Sequence, residues 1–417
     1  MTSEIAILNP YAVALAADSA VTLSNLKVYN TATKIFRLAE HVPVGVMVYG
    51  QPNIMNVPIE VLLKLYSEKL KLEKFQQLQD YCEGFFEFIE SGEVIPKKVQ
   101  NDCILAQIKG IFGILISETK KDFELPEHKE KLNGDGGNKC SILLDILDAK
   151  LTKLIEEQKK SIQTEFEIDA EEIEENFSEN IDQIMQEVFG ECEITDSVRE
   201  KFILFLKYRL CVPESGIVFA GFGEKELFPM VKAYLVGPLI NRKWWRVEDK
   251  VHSRAESVFG SQILPYAQGE MVFAFMNGIH PHFDQTLGFY LTSLFNNGLA
   301  DATMTALKKH LSVDEELEGE IHAELKSIYS QANEAVKINL QKYSTDYFVS
   351  PILSVLDSLP KSELIEMAEN LVNLTSFRRK MSSDQATVGG PIDVAIISKS
   401  DGFMWVKKKG LYNSITH

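Results

Sequence analysis

The sequence predicts an α+β protein in which two packed β-sheets are flanked by helices. Strand-like apolar runs sit at both ends of the chain, helical stretches follow each set, and the two kinds of segment do not alternate as they would in a doubly wound fold. With 417 residues, 45 % of them hydrophobic, the chain can bury a large core.

The elements follow in order. Residues 3–8 and 11–17 are short apolar runs joined by the turn signal Asn9-Pro10. Their weak alternation with polar residues predicts a β-hairpin buried on both faces. Two more strands are expected at "KIFRLA" (34–39) and "VGVMVYG" (44–50). The period then changes: Asn56 is expected to cap a helix with Pro58 in its first turn and Ile59, Leu62, Leu63, Tyr66 and Leu70 along one face. From about 75 to 210 the pattern is mostly helical and charged. Residues 165–189 contain no basic residue, yet Ile173, Phe177, Ile181, Ile184 and Val188 keep a helical stripe, so an amphipathic helix with a solvated acidic face is expected. "NGDGGN" (133–138) reads as a loop between helices, since it lacks the flanking strand and Lys-Ser/Thr of a phosphate-binding loop. Strands are expected again at 216–223, 229–237 and 270–278, helices from about 283 to 380, and a closing hairpin that turns at Asp401-Gly402. Trp244 and Trp245 fit either a surface contact or a hairpin core.

Composition narrows the function classes. The formal charge of −17 would repel a phosphate backbone, so nucleic acid is not an expected partner. Five scattered cysteines, Cys82, Cys103, Cys140, Cys192 and Cys211, form no C-x-x-C pair and predict a reducing compartment without a disulfide frame or zinc site. His280 and His282 lack a Cys or acidic partner in ligand spacing and read as loop histidines, so no metal is expected. The first basic residue is Lys27, and Asp18 ends the early apolar run, which argues against a signal peptide. No stretch reaches about 18 uncharged apolar residues. A cytoplasmic protein, away from membranes, is the expectation.

The chemistry sits at the start. Strand character begins almost at residue two, and initiator Met before a small residue such as Thr2 is commonly trimmed. A freed Thr2 would carry both a hydroxyl nucleophile and an α-amine able to take its proton. That amine has an ordinary pKa of about 7.7–8.0, and a neighbouring ammonium would lower it. Lys34 can supply that charge, Asp18 can hold and orient the lysine, and a backbone N–H at Gly50 can stabilise an oxyanion.

These residues carry a resemblance. The first fifty residues resemble the start of a proteasome β-subunit and of the bacterial proteasome-related peptidase, both N-terminal-nucleophile (Ntn) hydrolases. That family has an acidic residue sixteen positions after its first Thr and a Lys thirty-two positions after it, as Asp18 and Lys34 follow Thr2. "ALAADSAVT" resembles the family's "LAADxRxT" block with Ala20 for Arg. "KIFRL…VGVMVYG" resembles "KIFxI…GxxxxG" with about two extra residues in the turn, and "TVGGPIDVAIISKSDGF" resembles "SGGxIDVxVIxKDG". The family's amine-holding Ser in a "GSG" turn is replaced by Asn277 or Gly278. Asp384 and Thr387 match its Asp and Ser before "GG" only with a one-residue shift.

The resemblance covers about half the chain and implies a four-layer αββα sandwich of the Ntn-hydrolase fold with a large helical insertion. The core would comprise residues 1–75 and 212–417, the insertion 76–211, and extra helices about 296–360. It implies a threonine-type endopeptidase without cofactor, acting on a polypeptide through an acyl-enzyme on Thr2. Val21, Ala32 and Val48 would line an apolar substrate pocket. Relatives assemble into homo-oligomeric rings, some with an ATP-driven unfoldase. Two alternatives stand beside this: a non-catalytic scaffold that binds a partner, and an amidase acting on a small amide.

Overall fold

A computed structural model describes residues 3–23, 27–29, 32–126, 128, 138–161, 170–190, 192, 194–210, 212–213, 215–254, 260–311, 314–382 and 389–409. In chain order, strands β1 (Ser3–Leu8), β2 (Ala12–Asp18), β3 (Val21–Leu23), β4 (Lys27–Tyr29), β5 (Ile35–Arg37), β6 (Val44–Gly50), β7 (Asn53–Ile54) and β8 (Val57–Pro58) come first. Helices α1 (Ile59–Leu70), α2 (Leu78–Glu90), α3 (Lys97–Phe123), α4 (Lys139–Ser161), α5 (Ala170–Phe189) and α6 (Asp196–Leu210) follow. Strands return as β9 (Ser215–Gly221), β10 (Met230–Ile240), β11 (Lys243–Glu248) and β12 (Gln262–Ala267). Helices α7 (Glu270–Asn277), α8 (Pro281–Ser293), α9 (Leu299–Lys308), α10 (Glu315–Ser344), α11 (Ser350–Leu356) and α12 (Lys361–Lys380) precede the final hairpin of β13 (Ile392–Ser398) and β14 (Gly402–Lys407). Single π-turns interrupt the helical run at Leu294–Gly298 and Thr345–Val349. The class is α+β with antiparallel sheets. The chain forms two compact units, residues 1–35 with 256–417, and residues 36–255; this division differs from the sequence-based one, which set off 76–211.

Unit 1 holds a five-stranded antiparallel sheet in the order β12-β1-β2-β13-β14. One face packs against α12: Ile5, Ile7, Ala14, Ala16, Ile392 and Val394 meet Leu364, Ala368, Leu371 and Val372 in one cluster. The alanines of β2 leave room for the helix to come close. Side chains alternate along a strand, so Glu4 and Asp393, each in register with Ala17, belong to the other face. The hairpin turn depends on Asn9, whose side-chain oxygen accepts from the N–H groups of Tyr11 and Ala12.

The structure corrects one strand. Residues 270–277 are helical. A short apolar run bounded by glycines fits either period, and here Gly278 decides. It adopts φ 72° and donates its N–H to the Ala274 carbonyl, a left-handed helix cap. A β-carbon at Gly278 would come within 2.6 Å of the Phe348 ring, so the position needs glycine twice over. Among the strands missed by sequence, besides the short β3, β4, β7 and β8, is β12, an edge strand, which is where its Pro265 is tolerated.

Unit 2 holds the sheet β11-β10-β9-β6-β5. Helix α2 is fixed to it by rings: Phe86 lies 4.8 Å from Tyr234 and 5.5 Å from Trp244, both edge-on. Trp244 is therefore a core residue of a hairpin strand, with its indole N–H on the Gly237 carbonyl. Helices α1 to α6 share that core. Helix α1 buries the five residues expected of it, but Asn56 is not its cap: Met55 and Asn56 take φ 47° and 62° in the β7–β8 turn, and Pro58 occupies the cap position. On α5 the buried stripe closes with Met185, while Val188 is 40 % exposed.

Among the described residues one helix, α3, is long and apolar enough to cross a membrane by length and composition. Its Ile104, Ile108 and Phe112 lie in the unit 2 core. The expectation of no disulfide is overturned. Cys140 and Cys192 form a disulfide with their α-carbons 5.6 Å apart, joining the start of α4 to the chain just after α5. Ends of separate helices bring them together, and sequence spacing carries no trace of that. Cys82 and Cys103 are buried and reduced. Thiol titration of denatured protein without reductant is expected to find three of the five thiols; five would show the bond absent from the purified chain.

Candidate functional site

The site is built where β1, β2 and the segment before β5 meet in unit 1. Asp18 ends β2, and Lys34 immediately precedes β5, so the two intervals counted in the sequence become one buried contact. The Lys34 ammonium lies 2.5 Å from Asp18 Oδ1, with side-chain exposures of 5 % and 0 %. Asp18 is a hub: Oδ1 also accepts the Ser3 N–H at 3.0 Å, while Oδ2 accepts the N–H groups of Ala20 at 3.3 Å and Gly389 at 2.9 Å. One carboxylate thus ties together the start of β1, the chain after β2, the lysine, and the first glycine of the C-terminal "GG".

The structure adds a residue that the sequence reading missed. Glu4 Oε1 lies 3.1 Å from the Lys34 ammonium, and its side chain is fully buried. The available signal was an acidic side chain inside an apolar strand run, "SEIAIL". A carboxylate there needs a cation.

A second buried lysine stands beside this cluster. The Lys409 ammonium donates to Ser19 Oγ at 2.8 Å and to the Ala32 carbonyl, and lies 3.2 Å from Asp393 Oδ2. Burial pushes the Lys409 ammonium below the usual lysine range; Asp393 acts against this, and Lys34 adds to it. Ser19 in turn donates to the Pro391 carbonyl at 2.5 Å. Five charged groups, Glu4, Asp18, Lys34, Asp393 and Lys409, thus share one buried region with one more negative charge than positive.

Not every expected site residue joins them. Thr2, Asp384 and Thr387 lie outside the described residues. Ala32 is tied to the cluster by its backbone, accepting from Lys409 and donating to the Ser19 carbonyl, and Val21 opens the β3–β4 hairpin opposite Tyr29. Gly50 and Val48 belong to unit 2. Val48 is 6 % exposed within that unit's core. Gly50 ends β6 at φ 85°, in register with Ser215, whose hydroxyl accepts the Gln51 N–H and donates to the Gln51 carbonyl, both at 3.0 Å. Gln51 and Ser215 also line a cavity of about 490 Å³ with Asn56, Cys103, Gln107 and Arg209. Asn277, one candidate for the family's serine position, ends α7 and accepts the Ser344 hydroxyl on its carbonyl. His280 caps α8, with Nδ1 facing the His282 N–H at 3.3 Å.

No protein-family model matches the chain, and no curated protein matches it at a significant level. The resemblance to proteasome-type subunits therefore rests on the motifs and their spacing.

Proposed function

We propose that the protein is an N-terminal-nucleophile hydrolase of the proteasome-like kind, a threonine peptidase acting through Thr2 after removal of Met1. The observation that carries this reading is the buried Asp18–Lys34 pair, with the N–H of Ser3, the residue next to Thr2, bound to the same carboxylate. In this mechanism the Thr2 hydroxyl attacks a peptide carbonyl, and its proton passes to the Thr2 amine. The amine then protonates the leaving nitrogen as the C–N bond breaks and an ester to Thr2 forms. Water cleaves that ester, again with the amine as base. Lys34 disfavours a second cation nearby and so keeps the amine in its basic form; Asp18 fixes the lysine.

Mass spectrometry of the purified protein is expected to show Met1 absent, and Thr2→Ala to lose all hydrolysis of a peptide library. Retained Met1, or an active alanine variant, rejects the mechanism. One observation favours a second reading. Glu4 offsets the charge of Lys34, as a cluster serving only the fold would in a non-catalytic scaffold. Failure of an N-terminal-threonine-directed covalent inhibitor to label a chain that lacks Met1 would favour that scaffold.

A further inference from the structure

Helix α10 runs for 30 residues and buries only Asn333. Its sequence carries a seam with alternating steps of four and three: Leu317, Ile321, Glu324, Ile328, Gln331, Ala335, Ile338 and Lys342. Steps averaging 3.5 residues keep one face of a helix toward a partner helix. All of these positions are exposed except the half-buried Ile321, and Ile328 and Ile338 are 52 % and 61 % exposed. A helix that buries so little of its own apolar stripe gains its stability from something laid along it.

Charge identifies what that is. Glu320 and Glu324 lie on or beside the seam in the first half, and Lys342 on it in the last turn. None of the three has an ion partner among the described residues, unlike Glu318 and Glu334, which pair with Lys308 and Lys337. A parallel copy would set each charge against its own kind. An antiparallel copy related by a two-fold axis that places Ile321 against Ile338 sets Lys342 across from Leu317, one turn from Glu320, and leaves Ile328 beside the axis. The seam is self-complementary in that one arrangement.

We propose that α10 is the interface of a two-fold dimer, two copies of this chain pairing antiparallel along 317–342. The inference concerns assembly and does not depend on chemistry at Thr2. Light scattering on the full chain is expected to give twice its 47.1 kDa mass, and Ile328→Cys to cross-link to its own copy on mild oxidation. Glu320→Lys and Lys342→Glu should each weaken the dimer at least tenfold, and the double variant should restore it. Because both are changes of exposed side chains, they leave folding intact. A monomeric wild type, a dimer indifferent to these charges, or binding of monomer to anionic lipid vesicles through the same residues overturns the proposal.

Discussion

Lys34→Met is expected to destabilise unit 1 by about 3–5 kcal/mol, the cost of leaving buried charge without its partner. Methionine nearly fills the volume, so packing is a minor part of the loss. What remains is two carboxylates with fully buried side chains. The two lose different contacts. Asp18 keeps three backbone N–H donors, from Ser3, Ala20 and Gly389, whereas Glu4 loses its close cation. Adding Glu4→Gln to the methionine variant is therefore expected to recover about 1–2 kcal/mol. Lys64→Met is the control: that lysine pairs with Glu68 on an exposed helix face, with 73 % of its side chain in solvent, and its loss should be hard to detect. Guanidinium denaturation of the three variants measures the difference, and equal midpoints for Lys34→Met and Lys64→Met would mean the cluster carries no charge worth compensating.

How much of this was legible in the sequence depended on the range of the interaction. Asp18 and Lys34 were legible because their intervals from Thr2 resemble those of a known family and suit the chemistry of a terminal amine, and the face of α1 because 3.6-residue periodicity needs no tertiary information. Glu4 was passed over because an acidic residue among apolar ones looks like an interruption until its cation is seen. Lys409 was invisible for a related reason: near the chain end, beside Lys407 and Lys408, nothing local marks it as the one lysine of the three that turns inward. The helix at 270–277 and the Cys140–Cys192 bond failed differently. In the first, a run of six apolar residues satisfies two periods at once and a glycine cap decides; in the second, the ends of two separate helices meet.

Glu4→Gln alone is expected to leave the fold standing and to move the pH dependence of the proposed hydrolysis. Successive α-carbons are 3.8 Å apart, so residues 2 and 4 are within about 7 Å whatever the backbone does. A carboxylate on a residue that close along the chain favours the ammonium form of the Thr2 amine and works against Lys34. The other charges in the cluster, Asp18, Asp393 and Lys409, are unchanged by the substitution. Removing the Glu4 charge therefore lowers the amine pKa, and the base form appears at lower pH. The acid limb of kcat/KM should shift to lower pH, with a gain in rate on that limb and little change on the plateau. A merely structural glutamate would alter the denaturation midpoint and leave the limb in place. The two readings of the cluster thus part on a single profile: an active enzyme whose limb stays fixed assigns Glu4 to the fold, while a limb that moves makes the second carboxylate a brake that this chain sets on its own base.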